Sequence, residues 1–534
     1  MLAGCASSSV GALRFKNEPA VWRVADRNDI AKPARRPLPM MLYFMDVFAA
    51  RRLDRALAIP VAQRAADVNA LDEVPDSTWF TNRLGVRDMS LDEIRRGGSA
   101  EVAPTGPWRV LGTKVGGKSP GFLVTDANNN RFLMKFDAAG SPEMETGADV
   151  VVQKILWTLG YNTPEDTIEV VRRDELALAS NAKIEDVFGH KQPMTTADLD
   201  RALEGIDRRA DGSYRVLVSR FLAGTPLGGY AVEGVRADDP NDRIAHEHRR
   251  SIRAQSVFFA WLDHTDIKED NSLDMWVTDG PLHYVRHYLV DFGNALGVMG
   301  WGQATPSDGY AEMVDLKLAG MSLVTLGLWR RPWEFADGER IRGVGRFESA
   351  HFDPFGWSDR YPYEPFERSD DTDGLWAAKT MMRFTPAQLR AAVEQGKYSD
   401  PRAVDYLVKI LVERQRKTAH AWFERVAPLD GFRIVGGDTL CFDDLLLRYF
   451  TDDRVTTYRA RAFDFAGQPT GWHADRAGNA NACFSQVPAA ADHDGYVIIE
   501  LAVRRGGSRL APIYVHVARD PSTQQLRVIG IRRT

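Results

Sequence analysis

DHTDIKEDN, residues 263–271, is the stretch on which the reading of this 534-residue chain turns. An apolar run, SVFFAWL at 256–262, closes a helix expected over 243–262 just before it. A hairpin is expected just after it, from strands at 273–277 and 284–290 around Thr278-Asp279-Gly280-Pro281. A polar loop in that position is either a solvated turn or a place where packed elements hold charged side chains for chemistry. The far end of the hairpin bears on the choice, because it closes on Leu289-Val290-Asp291-Phe292-Gly293.

Upstream the texture is that of an antiparallel meander, with short β-like runs at 108–114, 121–126 and 131–136 and a turn at Asn128-Asn129-Asn130. Ser141-Pro142-Glu143 predicts a helix start, with Ser as N-cap and Pro in the first turn, and Gly160 predicts its end. Further strands are expected at 167–172 and 216–221. Lys135 lies in FLMKFD, with apolar neighbours on both sides, so an inward-pointing ammonium there needs a buried carboxylate. The helix offers Glu143, Glu145 and Asp149. Asp149 adjoins the apolar face of Val152, Ile155, Leu156 and Leu159 and is favoured, with Glu145 as the alternative.

The order His264-x-Asp266-Ile267-Lys268-x-x-Asn271 resembles the catalytic loop of protein kinases, with Thr265 where Arg is usual, and Asp291-Phe292-Gly293 resembles their magnesium motif. Either motif alone is weak; together, in order and on a helix-loop-hairpin frame, they are specific. The resemblance covers about 108–425 and implies an α+β, bilobal protein-kinase-like fold. Its N-terminal lobe would be an antiparallel sheet plus helix, and its C-terminal lobe mostly helical. The resemblance further implies ATP and magnesium as cofactors. Asp266 would accept the acceptor's proton and Lys268 steady the phosphate. Asn271 and Asp291 would hold magnesium, Lys135 with Asp149 would orient the ATP phosphates, and Ser219 and Phe221 would lie on the hinge strand that meets adenine.

Gly116, Gly117, Lys118 and Ser119 stand where a phosphate-covering glycine loop is expected, though their spacing departs from the G-x-G-x-x-G pattern and suits a plain hairpin almost as well. That departure is closer to divergent bacterial kinase-like families, of the HipA and lipid-kinase-like types. The A-P-E element that closes an ordinary activation segment is missing, so the phosphoacceptor is unknown. A catalytically silent pseudokinase, acting as a binding or scaffold module, is the competing reading. A hydrolase built on His264 and Asp266 lacks an accompanying Ser or Cys nucleophile motif.

Composition sets the outer bounds. The net charge of -5 and the absence of a long basic block argue against a nucleic-acid partner. The hydrophobic and charged shares, 44% and 26%, are those of an ordinary globular chain. Leu2-Ala3-Gly4-Cys5 resembles a bacterial lipobox, which implies a lipid on Cys5, a membrane anchor and a periplasm-facing location in the cell envelope; a cytoplasmic location is the alternative. An envelope location would permit a Cys441–Cys483 disulfide and raises the question of where ATP would come from.

The expected division is a signal remnant and tether at 1–20, an N-terminal extension at 21–105, an N-lobe with hinge at 106–240, a C-lobe at 241–428 and a β-rich C-terminal domain at 429–534. The extension contains a partly helical run at 39–57. It also contains the loop VNALDEVPDSTWF at 68–80, whose Asp72, Glu73 and Asp76 are expected to be solvated or capping. Helices are expected at 385–396 and 401–425.

Overall fold

The computed structural model describes residues 10, 13–57, 63–99, 103–114, 120–185, 190–300, 302–335, 340–490 and 492–534. Cys5, Gly116, Gly117, Lys118 and Ser119 lie outside the described residues. The fold is mixed α+β, and its first part is built on a seven-stranded sheet. The strands are β1 (Trp108–Thr113), β2 (Gly121–Thr125), β3 (Arg131–Phe136), β4 (Asp166–Val171), β5 (Leu176–Glu185), β6 (Lys191–Pro193) and β7 (Tyr214–Arg220), in the order β4-β7-β3-β2-β1-β5-β6. β1 to β3 form the meander, and the Asp126 carboxylate accepts the Asn128 and Asn130 N–H groups to make the turn.

Strand alternation sorts the two faces of this sheet. Phe132, Met134 and Phe136 of β3 point into a core shared with Trp108, Val110 and Phe122 and closed by Leu199 and Leu203 of the helix Thr196–Glu204. Lys135 therefore points to the opposite face, where the helix Met144–Leu159 packs. The parallel pairing of β1 with β5 was not expected. LALASNAKIE lies one strand in from the sheet edge with only Leu176 and Ala182 buried, and its apolar residues show no sustained period of two.

Two helix starts differ from expectation. The sheet-packed helix begins at Met144 rather than at Ser141, and Glu143 sits in the left-handed region at φ 67°. The reason is capping from outside the helix: the Asp137 carboxylate takes the Thr146 N–H at 3.0 Å and hydroxyl at 2.7 Å, and Glu143 accepts the N–H of the distant Ser399. The helix expected over 243–262 is broken into a turn at His246–His248 and helices Arg250–Arg253 and Gln255–Leu262. Asp242 binds His246 and Arg249 there, and Asp67, distant in sequence, takes the Ser251 N–H and hydroxyl, so side-chain partners replace a continuous ladder.

Gln255–Leu262 is buried among the helices Asp371–Met381, Pro386–Val393 and Pro401–Arg425, and Trp261 donates its indole N–H to the Leu411 carbonyl. The helix Asp371–Met381 was not expected. A hairpin of β9 (Ser272–Asp279) and β10 (Leu282–Leu289) follows the loop 263–271, with β8 (Thr225–Gly228) along β9.

The chain ends in a three-stranded and a six-stranded sheet, and the Cys441 and Cys483 sulfurs are bonded at 2.10 Å. Asp72 and Glu73 are not solvated. Asp72 bridges Arg250 and Arg533 at 2.8 Å each, and Lys379 links Glu73 to Asp430. This buried network ties the N-terminal extension, the helical body and the last strand together. Among the described residues no helix is long and apolar enough to cross a membrane.

The Cys441–Cys483 bond closes a separation of 42 residues. Loop-closure entropy gives it a stabilising contribution of about 4 kcal/mol. Added reductant is expected to accelerate hydrogen exchange in Thr439–Asp444 and Asn481–Phe484, whereas unchanged exchange would show that the bond does not constrain these strands.

Candidate active site

The site is organised around one buried ammonium. Lys135, only 5% exposed, places its Nζ 2.8 Å from Asp149 Oδ2 and 2.7 Å from Asp291 Oδ1. Burial alone drives the ammonium toward its neutral form, but Asp149, Asp291 and Glu145 outweigh it and raise Lys135 well above its ordinary value. Asp291 shows the converse: burial would raise it, yet Lys135 first, then Lys114 and Lys268, hold it below the usual carboxylate range. Asp149 has a second task, since its Oδ1 accepts the Phe292 N–H at 3.1 Å. Helix, strand and the turn after β10 are thus joined through one carboxylate.

That turn is strained. Asp291 has φ 65°, a conformation that costs a non-glycine residue about 1–3 kcal/mol and persists only where surroundings over-determine it. The surroundings do so here: Val290 donates its N–H to the Asn271 carbonyl, and Phe292 is buried edge-on to His264. Gly293 is needed for close approach, because a Cβ there would come within 2.6 Å of Glu145 Cγ. Both candidate helix partners therefore lie at the site, with Asp149 in direct contact and Glu145 adding to the field.

The loop 263–271 presents Asp266 from the other side. Its Oδ2 accepts from Lys268 Nζ at 3.0 Å, Asn294 Nδ2 at 3.0 Å and Asn271 Nδ2 at 3.2 Å. All three donors use the same oxygen, so Oδ1 is the atom presented to an incoming group. Asn271 also donates to the Asp266 backbone carbonyl at 2.6 Å, which leaves its own amide oxygen available to a cation. The Asp291 side chain is 36% exposed while its partner Lys135 is buried. One amide oxygen and one carboxylate are hard donors that could together hold a small divalent cation. His264 is a positioning residue: burial lowers its pKa, and its Nδ1 meets the Asn294 carbonyl at 3.1 Å.

Several residues at the site were not singled out in the sequence. Asn294 directly follows the Asp291-Phe292-Gly293 turn and grips Asp266. Lys114, at the end of β1, is pushed down by burial and then by Lys135. Glu269 is fully buried beneath the loop, where Arg36 and Arg51 of the N-terminal extension reach it at 2.5 and 2.8 Å, and Tyr43 accepts its N–H. Glu269 had no signal beyond an acid in an acidic loop.

Ser219 and Phe221 are separated from this cluster to different degrees. Ser219 pairs in register with Leu133 of β3 and Asp166 of β4, and burial pushes the Asp166 carboxyl up to about 7. Phe221 is 38% exposed, carries the Arg131 guanidinium over its ring at 4.7 Å, and lines a cavity that none of Lys135, Asp149, Asp266 or Asp291 touches.

No family model matches the chain, and no curated protein matches it. Among solved structures, a crystal structure of the Golgi casein kinase with Mn/ADP bound is similar at a TM-score of 0.30 and 12% identity, over 62% of this chain and 73% of that one. A second crystal structure of the Golgi casein kinase is similar at 0.29 and 11%, over 62% and 72%. Likeness at that level carries no conclusion about this chain, whose site is defined by its own contacts.

Removing one partner of a buried pair leaves an uncompensated charge. Lys135→Ala is therefore expected to lower stability by about 3 kcal/mol, and Lys135→Ala combined with Asp149→Ala by clearly less than the sum of the single changes. Additive losses in chemical denaturation would show that the pair is not coupled.

Proposed function

We propose that the chain is an ATP-dependent phosphotransferase of protein-kinase-like architecture. In this reading the seven-stranded sheet with helix Met144–Leu159 is the first lobe, and the helices around Gln255–Leu262 are the second. The chain passes between them just after β7. The observation that carries the reading is the shared ammonium: Lys135 is gripped by Asp149 and Asp291, and the loop that follows Gln255–Leu262 offers Asp266 Oδ1 from the facing side.

The roles follow from charge and reach. Lys135 is the cation for the nucleotide phosphates, kept charged by its carboxylates. Asn271 and Asp291 supply two oxygens for a magnesium ion, whose contribution when bound is to neutralise phosphate charge. Asp266 Oδ1 accepts the proton of an acceptor hydroxyl as that oxygen forms its bond to the terminal phosphorus, and the bond from phosphorus to the bridging oxygen breaks to release the nucleoside diphosphate. Lys268, already at Asp266, balances charge on the moving phosphoryl group. The acceptor is unassigned.

Incubation of the full chain with terminally labelled ATP and magnesium tests this. Label is expected to reach a protein, lipid or small-molecule hydroxyl, or the chain itself, with Asp266→Asn slower by about a hundredfold or more. Equal rates in the two proteins would remove Asp266 from the chemistry. Nucleotide binding with no transfer to any acceptor would instead make the chain a silent nucleotide-holding module.

A further inference from the structure

A cavity of about 360 Å3 lies away from the Lys135 cluster, between the C-terminal end of helix Met144–Leu159, the segment after β7 and the inner part of β10. That is enough room for a small organic ligand. Its walls combine two chemistries. Trp157, Leu222 and Tyr288 are apolar or aromatic, and three guanidinium groups, Arg83, Arg220 and Arg286, come from three separate parts of the chain.

The charges do not balance. Arg220 is paired with Glu165 at 3.1 Å. Arg83 donates to the Trp157 and Tyr161 carbonyls and lies 4.3 Å over the Trp157 ring. Arg286 donates to the Tyr284 hydroxyl at 2.8 Å. Among the described residues neither Arg83 nor Arg286 forms an ion pair with a carboxylate. Burial pushes the Arg83 guanidinium down to about 10, with Arg87 and Arg286 acting in the same direction and Asp76 against them. The lining thus holds three cations against the single carboxylate of Glu165, an excess that one dianion would cancel.

We propose that this cavity is a second small-molecule site, separate from the cleft of Lys135 and Asp266, and that it takes a dianionic phosphomonoester carried on a flat ring. The phosphate oxygens bind Arg83 and Arg286, whose planar forks suit a tetrahedral dianion better than ammonium groups would. The ring occupies the apolar part of the cavity. The site reads neither the acceptor nor the magnesium ligands, so it stands whether or not the chain transfers phosphate. Because the cavity borders both the segment after β7 and the end of the helix that carries Asp149, its occupant bridges the two parts of the fold.

Phenyl phosphate is the probe, titrated into the full chain by calorimetry and thermal shift, with inorganic phosphate as the ring-free comparison. Saturable binding is expected for phenyl phosphate, tighter than for inorganic phosphate. It is expected to weaken by about tenfold or more in Arg286→Gln and again in Arg83→Gln. It should persist in Asp291→Asn, which disables the cleft as a cation site while leaving the Lys135–Asp149 pair in place. Arg83 also braces two helix-end carbonyls, so if Arg83→Gln does not fold, Arg286→Gln decides. Absence of saturable binding, binding unchanged in Arg286→Gln, or binding lost in Asp291→Asn would each overturn the proposal.

Discussion

A single ammonium inside the protein constrains the rest of this structure. A buried charge without partners costs several kcal/mol, so Lys135 is tolerated only if carboxylates from elsewhere in the chain reach it. Asp149 reaches it from a helix and Asp291 from a turn more than a hundred residues later in sequence. Their convergence fixes the distance between sheet and helix, and it holds the turn in a left-handed conformation that a non-glycine residue would otherwise avoid. Gly293 then has to be small because Glu145 occupies the adjoining space. The local features around the site follow from keeping one lysine charged in a place water barely reaches.

The facing loop is supported by a different device. Asp266 is steadied by donors that share one of its oxygens, and the loop beneath it rests on the buried Glu269, itself neutralised by Arg36 and Arg51. The N-terminal extension is therefore part of the loop's foundation. The acidic stretch at 72–73 plays a comparable role on a larger scale, since Asp72 joins Arg250 in the helical body to Arg533 in the last strand. These contacts bind distant segments by charge in low-dielectric surroundings, where an unmatched partner is expensive and register is correspondingly well specified.

What was legible in the sequence was local or motif-borne. The meander showed in its period of two, the hairpin in its Thr-Asp-Gly-Pro turn, and Lys135 in the conflict between its charge and its neighbours. That conflict also pointed to Asp149, whose place on an apolar helix face was readable. What was not legible depended on side-chain partners outside the element itself, some near in sequence and some far. The helix start moved from Ser141 to Met144 because Asp137 caps it, and the helix before the loop broke because Asp67 and Asp242 compete for its N-terminal residues. β5 was missed because the residues that face the core, Leu176 and Ala182 among them, are separated by Ser180 and Asn181 and flanked by small Ala residues, so no sustained alternation shows in the sequence. Glu269 and Asn294 carry no periodic or motif signal, and only the fold brings them to Asp266.

The central claim is that Lys135, Asp291 and Asn271 form a metal-assisted nucleotide cleft rather than a purely structural ion cluster. Calorimetric titration of a non-hydrolysable ATP analogue into the full chain, with and without magnesium, tests it most directly. The account predicts saturable binding that requires magnesium and is lost in Asp291→Asn, a variant that keeps the side-chain shape but gives up the charge on which both Lys135 and a cation depend. Absence of binding, or binding equally tight without magnesium and in Asp291→Asn, would contradict it.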